Sequence, residues 1–309
     1  MSKKENVQDY FSNHAADWVQ GGYDGNTYLY PTALHRAQVV CDILSDLAPQ
    51  SRIVDVGCGG GHLALRLAAL GHSVNAIDQS AEMIALAKAQ KEALAAETPQ
   101  DVTFHVAELE TPPELPAHDA LTCMGVIGYL DTDTPFFTTA GKLLKDDGTL
   151  LVSCRNRLFN MVSYSHRTQN EISQGGASSL VDALIRSTAA VPPGRIRELA
   201  DNLVRTGEAL KDLLDGIPDD QPFDVPPPKG PDIEARQHTP DELVAEAGKH
   251  GFTLTALHGV HPHLLPPHVS RFLPPQTYNL LSSSLESLHD LPISLSWSSV
   301  FVAVFRKSA

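Results

Sequence analysis

The chain has 309 residues, 42% of them hydrophobic and 19% charged, with 22 prolines, a balance that fits an ordinary globular protein with long loops and excludes a fibrous or disordered one. Its 23 Lys and Arg stand against 37 Asp and Glu, a formal charge of −14, which repels phosphate and anionic lipid and leaves a small molecule as the expected partner, with no nucleic acid and no membrane. No stretch reaches the apolar length of a transmembrane helix.

In chain order, the first forty residues read as a helix and a loop carrying an aromatic cluster: Tyr10, Phe11, Trp18, Tyr23, Tyr28 and Tyr30. The opening "MSKKENVQDYF" has no apolar core of the kind a secretory signal needs, so a cytoplasmic address is expected. Cys41, Cys58, Cys123 and Cys154 are widely spaced with no CxxC pair, which suits reduced packing residues better than disulfides or zinc ligands.

From residue 52 to 154 strand and helix alternate. "RIVDV" (52–56) is an apolar run, "GHLALRLAALG" (61–71) has helical spacing, and "HSVNAID" (72–78) is a second strand. Ser80 is an N-cap for the helix 80–97; strands 102–106 and 118–124, a helix over 134–145 and a strand 148–154 follow. Such alternation predicts a parallel sheet with helices on both faces. About 80 residues then depart from the pattern, with helices in "SLVDALIRSTAAV" and "RIRELADNLVRTGEALKDLLDGI" and the Pro-rich connector "IPDDQPFDVPPPKGP". At the C-terminal edge of the sheet such an insertion would sit over a ligand crevice as a lid or cap. Thr239 as N-cap with Pro240 behind it opens a helix to Gly251, "FTLTALHG" is a strand, and "SLSWSSVFVAVFRK" (294–307) is the last one. The expected organisation is an N-terminal helix and aromatic flap (1–45), a Rossmann-like core (46–155), a helical insertion (156–235) and a C-terminal part of the sheet (236–309).

The segment "VDVGCGGG" places Gly57, Gly59 and Gly61 directly after a strand, where positive φ and a missing Cβ let backbone amides touch a ligand. A dinucleotide fingerprint would need glycine where His62 stands, and a P-loop would need a lysine that is absent. What the residues do show is Asp-x-Gly-x-Gly-x-Gly over 55–61 with a second acid, Asp78, at the end of the next strand. A carboxylate there can accept hydrogen bonds from both hydroxyls of a ribose.

"VDVGCGGG" followed by "AIDQSAEMIALAK", "FHVAELE", "DALTCMGVIGYL" and "GTLLVSC" resembles the class I S-adenosylmethionine-dependent methyltransferases, over residues 45–155 and more weakly the last two strands. The resemblance implies a doubly wound, mostly parallel seven-stranded sheet, S-adenosylmethionine as cofactor and S-adenosylhomocysteine as product. It implies that Asp55 orients the loop and the ammonium end, that Gly57 and Gly59 line the methionine tail, that Asp78 takes the ribose, and that Cys58, Gly61 and Gln79 belong to the same cofactor site. Glu108 and the Leu109 amide would hold adenine with Met83 on its face, and Met124, Gly125 and Val126 would form the floor beside the sulfonium. Relatives often carry a charged or imidazole group in the segment matching "CMGVIGYL", and this chain does not.

The acceptor side is read from the residues that leave the strands. Arg155, Asn156, Arg157 and Tyr164 leave the fifth strand and Arg236 precedes the later helix; the arginines, clustered in an acidic chain, suit gripping a carboxylate by a bidentate fork. Tyr23, Tyr28 or Tyr30 could close over the site with cation–π attraction to a sulfonium. His238 and His166 are the candidate bases if the nucleophile must lose a proton, and His238 could also donate a hydrogen bond to substrate. "HGVHPHLLPPHVSRF" (258–272) carries four histidines, but Pro262 separates His261 from His263 with no acid or cysteine nearby, so a loop packing on the substrate side is expected and no metal. The expected activity is methylation of a small carboxylate-bearing metabolite, with an amino acid, methionine at sulfur, as the sharpest form, since the single domain with a large helical insertion is similar to bacterial methionine S-methyltransferases of dimethylsulfoniopropionate synthesis. The alternatives are O- or N-methylation of a phenol, sugar or amine, and a cofactor-binding protein without catalysis. The helical insertion offers a surface on which a homodimer could form.

Overall fold

The computed structural model describes residues 3–15, 23, 30–95, 101–215, 233 and 235–309. Among these residues eight strands run β1 (Arg52–Val56), β2 (Ser73–Asp78), β3 (Val102–Val106), β4 (His118–Met124), β5 (Leu144–Asn156), β6 (Gln237–His238), β7 (Phe252–Pro262) and β8 (Ser298–Lys307). They form one sheet in the order β3-β2-β1-β4-β5-β8-β7, with the two-residue β6 pairing parallel to the end of β5. β3 to β5 are parallel, and β8 inserts antiparallel between β5 and β7. This is the expected Rossmann-like α/β sheet.

The alternation of side chains along each strand feeds two separate cores. Ile53, Val74, Leu151 and Val302 face a layer built from helices α2 (Thr32–Leu44), α3 (His62–Ala69) and α4 (Ala81–Ala95). Val54, Ile77, Val152 and Phe301 face α5 (Thr134–Leu143) and α9 (Pro240–Lys249), where Phe136 and Phe137 are wholly buried. Because both faces are covered, the strands read as apolar runs, which is why they were legible.

The helix starts follow their capping residues. Ser80 Oγ accepts from the Met83 amide at 3.1 Å. Thr239 and Glu242 exchange two bonds, 3.1 and 2.7 Å, as a capping box. Three elements differ from the sequence reading. "SHRTQNEIS" forms helix α6 (His166–Ser173), opened by a Ser165–Thr168 capping box, where a simple exit from β5 was expected. β6 is too short to carry a periodic signal. Residues 294–297 turn as a helix before β8 begins at Ser298, held by the Ser294 amide on the Leu291 carbonyl (2.8 Å), so the last strand is shorter than expected. α7 (Ala177–Ser187) and α8 (Pro193–Leu214) occupy the insertion. Among the described residues, no helix is long and apolar enough to cross a membrane.

Candidate active site

β2 and β4 flank β1 on opposite sides, so the chain crossovers diverge there and open a crevice at the strand ends. A cavity of about 880 Å³ occupies it, within the size of a small-molecule site. At one end stands the glycine loop. Gly57, Gly59 and Gly61 all have left-handed φ, 73°, 51° and 80°. Steric closeness adds to the backbone demand: a Cβ on Gly57 would lie 2.2 Å from Val126 Cγ2, and one on Gly61 2.8 Å from Ala87. The amides of Gly57 and Cys58 both donate to the Ile77 carbonyl, at 2.8 and 3.0 Å, tying the loop to the end of β2.

Asp78 sits at that strand end and lines the cavity. Its two oxygens accept from the Gly59 amide (2.8 Å) and the Ser80 amide (2.9 Å). Burial raises its pKa even against those bonds. The Gln79 amide also bonds it, and a carboxylate has about four lone-pair sites, so acceptor capacity remains for a ligand. Asp55 is 2% exposed and lies outside the cavity lining. It accepts from Thr122 Oγ1 at 2.7 Å, and burial pushes its pKa up to about 6. Its role is therefore beneath the loop.

Arg36, on α2, was not singled out from the sequence. Its guanidinium lines the cavity against Gly125, where a Cβ would stand 2.9 Å from Nη1, and burial lowers its pKa. It has no hydrogen-bond or ion-pair partner among the described residues. Arg36 is half-buried and feels the Asp55 carboxylate beneath the loop; an anionic ligand group would complement its free donors. Gln79, Met83, Leu109, Met124, Gly125 and Val126 complete this half.

The other half is wider and more aromatic. Phe11, from α1 (Lys3–Asn13), meets Tyr129 edge-on at 5.2 Å, and α1 is tied to the cofactor-side helix by Ser12 Oγ on Ser80 Oγ, 3.1 Å. Phe159, Tyr30, His261 and His263 line the same space, and Arg155 enters it from the end of β5. Arg155 has no hydrogen-bond or ion-pair partner among the described residues. His166, the first residue of α6, stands at the exposed rim.

The remaining sequence candidates are placed elsewhere. Arg157 grips Glu171 with two bonds of 2.9 Å and Glu242 at 2.8 Å, so it is a structural clamp rather than a substrate fork. Arg236 donates to the Leu130 and Ile127 carbonyls (2.7 and 3.1 Å) and pairs with Asp133, which also holds His238 Nε2 at 2.8 Å. Burial of Asp133 is outweighed by these bonds, which hold its carboxyl below the usual range. Arg236 and His238 thus brace the 127–133 loop that forms the cavity floor, and neither lines the cavity. Asn156 is buried, donating to Leu295 and Ser298 carbonyls at 2.7 and 2.8 Å. Tyr164 is 63% exposed, and Tyr23 stacks on His62 at 3.9 Å outside the lining, its phenol pushed up to about 12 by burial. Tyr28 lies outside the described residues. Cys58 and Gly61 shape the loop without lining the cavity, and Glu110 rather than Glu108 faces it beside Leu109. Among the described residues no group of His, Cys, Asp and Glu is arranged to hold a metal ion.

Residues 53–148 match the family model of a methyltransferase domain. The ubiquinone biosynthesis O-methyltransferase of Xanthomonas campestris pv. campestris (strain B100) is 35% identical over 111 residues, 35% of this chain and 45% of that protein. The enzyme of the same name from Burkholderia thailandensis is 34% identical over 116 residues, 38% and 48% of the two chains. The matched segment spans less than half the length of these relatives. Magnesium protoporphyrin IX methyltransferase from Synechocystis PCC 6803, crystallised with bound SAH, superposes with a TM-score of 0.56 at 16% identity, covering 99% of this chain and all of that one. A 4+2 cyclase gives 0.54 at 14% identity, over 100% and 97% of the chains. These structural likenesses speak to the fold.

Proposed function

We propose that this chain, which carries a class I S-adenosylmethionine-dependent methyltransferase domain, transfers a methyl group to a small carboxylate-bearing acceptor. The cavity residues fit the cofactor. Bare backbone at Gly57 and Gly125 leaves a cradle that a Cβ would fill, Asp78 keeps acceptor capacity for a ribose hydroxyl, and Arg36 is a half-buried cation that can meet a ligand carboxylate. When bound, the cofactor supplies an electrophilic methyl carbon on a sulfonium.

What the chain itself must do is align a nucleophile with that carbon and exclude water, and orientation alone supplies on the order of 7–11 kcal/mol of rate acceleration. The observation that carries the acceptor reading is Arg155, an unpartnered guanidinium in the acceptor half of a strongly acidic protein. Phe11, Tyr129 and Phe159 provide apolar walls for the body of the acceptor. Methionine S-methylation finds no counterpart in the relatives above, which are named for O-methylation. We therefore favour O-methylation over the S-methyl form. The sharing of this fold with a cyclase keeps a second reading in view, a cofactor-binding protein without methyl transfer.

The deciding experiment incubates purified protein with S-adenosylmethionine and a panel of hydroxybenzoates, 2-hydroxy acids, amino acids and amines, following S-adenosylhomocysteine by mass spectrometry. A product heavier by one CH₂ from a carboxylate-bearing member supports the reading. Cofactor binding by calorimetry with no product from any member would favour the non-catalytic one.

A further inference from the structure

We infer that His261 is the catalytic base of the acceptor half, and that the atom methylated is therefore a hydroxyl oxygen. This rests on the methyl-transfer reading and goes beyond it by naming the group that receives the acceptor's proton.

His261, the penultimate residue of β7, has φ at +56°, a left-handed conformation unusual for a residue with a side chain. Such conformations persist where the surroundings over-determine them, and they cluster at functional sites. Here the surroundings are visible. The imidazole stacks on Tyr30 (4.4 Å, 9° between planes) and lies 4.3 Å from the ring of His263. Its Nδ1 is approached by Thr32 Oγ1 at 3.1 Å and Ser299 Oγ at 3.0 Å. Each hydroxyl has a carbonyl to donate to, Tyr30 O at 3.4 Å and His261 O at 3.5 Å. We assign the proton to Nδ1, where both hydroxyl oxygens can accept it while their own protons turn to those carbonyls. That tautomer leaves Nε2 as a bare lone pair, with no partner among the described residues, on a ring that lines the acceptor half.

The other imidazoles do not offer this. His238 is held by Asp133 outside the lining, and His166 is at the exposed rim. His263 donates from Nδ1 to Tyr278 Oη at 2.6 Å, since that hydroxyl gives its own proton to the Leu265 carbonyl at 3.0 Å; its Nε2 is buried. Arg155 and Val260 both stand opposite Val300, one on each side of β8. Guanidinium and imidazole thus reach the cavity from either side of a single strand, and an acceptor bearing both a carboxylate and a hydroxyl would satisfy them together. The groups facing His261 are His263 on the following turn, His35 from α2, Arg155 from β5, and Tyr30 with Glu286 behind it. Burial first, and then the nearby His263, His35 and Arg155, hold the imidazole neutral, well below its ordinary range.

A hydroxyl oxygen becomes strongly acidic only as its bond to the methyl carbon forms, so the proton leaves late and a strong base is unnecessary. As the oxygen–carbon bond forms, the carbon–sulfur bond breaks with its electron pair staying on sulfur, and the hydroxyl proton passes to Nε2 of His261.

Two measurements test this independently. Nitrogen-15 spectra of the imidazoles in the protein with S-adenosylhomocysteine, assigned by difference against H261N, should show a pyridine-type Nε2 for His261 at neutral pH. A pyrrole-type, protonated Nε2 overturns the assignment whether or not any acceptor is known. With the acceptor found in the panel, H261N should lower kcat about 10²–10⁴-fold with S-adenosylhomocysteine affinity unchanged; asparagine tolerates the left-handed backbone. Unaltered kcat overturns the proposal. If the wild-type protein turns over nothing, methyl transfer itself has failed and the spectra still judge His261.

Discussion

Alanine at Gly57 tests whether the cofactor loop is held by steric closeness as well as by backbone geometry. The site has φ at +73°, which costs an L-residue about 1–2 kcal/mol. The added Cβ would also lie 2.2 Å from Val126 Cγ2, an overlap that forces a shift worth about 1–3 kcal/mol. Together, Gly57→Ala should cost about 2–5 kcal/mol of stability in urea denaturation. Val126→Ala removes Cγ2 and hence only the second part. In the V126A background the same substitution should cost about 1–2 kcal/mol, a coupling of about 1–3 kcal/mol. Calorimetry should show weaker S-adenosylhomocysteine binding in G57A, partly recovered in the double variant. Costs additive to within about 0.5 kcal/mol would refute the argument that Val126 fixes the position of the loop.

Asp78→Asn removes the charge and one acceptor from an oxygen pair already holding backbone amides, so S-adenosylhomocysteine affinity should fall roughly 10–150-fold, equivalent to about 1.5–3 kcal/mol; a smaller loss in calorimetry would place the ribose elsewhere. Asp55 predicts a pH signature: its folded pKa, raised by burial to about 6, exceeds the unfolded value of about 3.9. The native state therefore binds the proton more tightly, and the stability this adds is full below about pH 4 and lost as pH rises through about 6, up to about 3 kcal/mol. Denaturation curves of Asp55→Asn should lack that decline; wild type and variant falling in parallel would show that Asp55 is not its source. Arg155→Met should raise KM for a carboxylate acceptor by about 10–150-fold, the loss of charged hydrogen bonds, with cofactor affinity unchanged. An equal rise for an uncharged analogue of that acceptor would mean that Arg155 does not read the carboxylate.

How much of the site was legible depended on whether function and local structure demanded the same residues. The glycine loop, Asp78, Gln79, Met83 and the 124–126 segment were legible because a strand end, a tight turn and a helix start each leave a local mark. That Arg155 lines the cavity was legible for a different reason: it leaves the fifth strand, where an α/β crevice opens. Arg157, Arg236 and His238 carried the same chemical promise. Their carboxylate partners lie 14, 103 and 105 positions away in sequence, and no spacing rule reveals such pairings.

The sequence by itself determined the parallel core and its ligand crevice, because burial on both faces imposes apolar runs and because only glycine adopts those loop conformations without strain. It also contained the capping signals that start α4 and α9. Only the tertiary structure decided which cations and imidazoles are available to a ligand. Arg36 looks like any helical arginine until α2 packs over Gly125, and His261 looks like a loop histidine until β7 pairs with β8 and carries it between Tyr30 and Arg155. Availability of a polar group is the residue left after long-range partners have been counted, and those partners are chosen by packing.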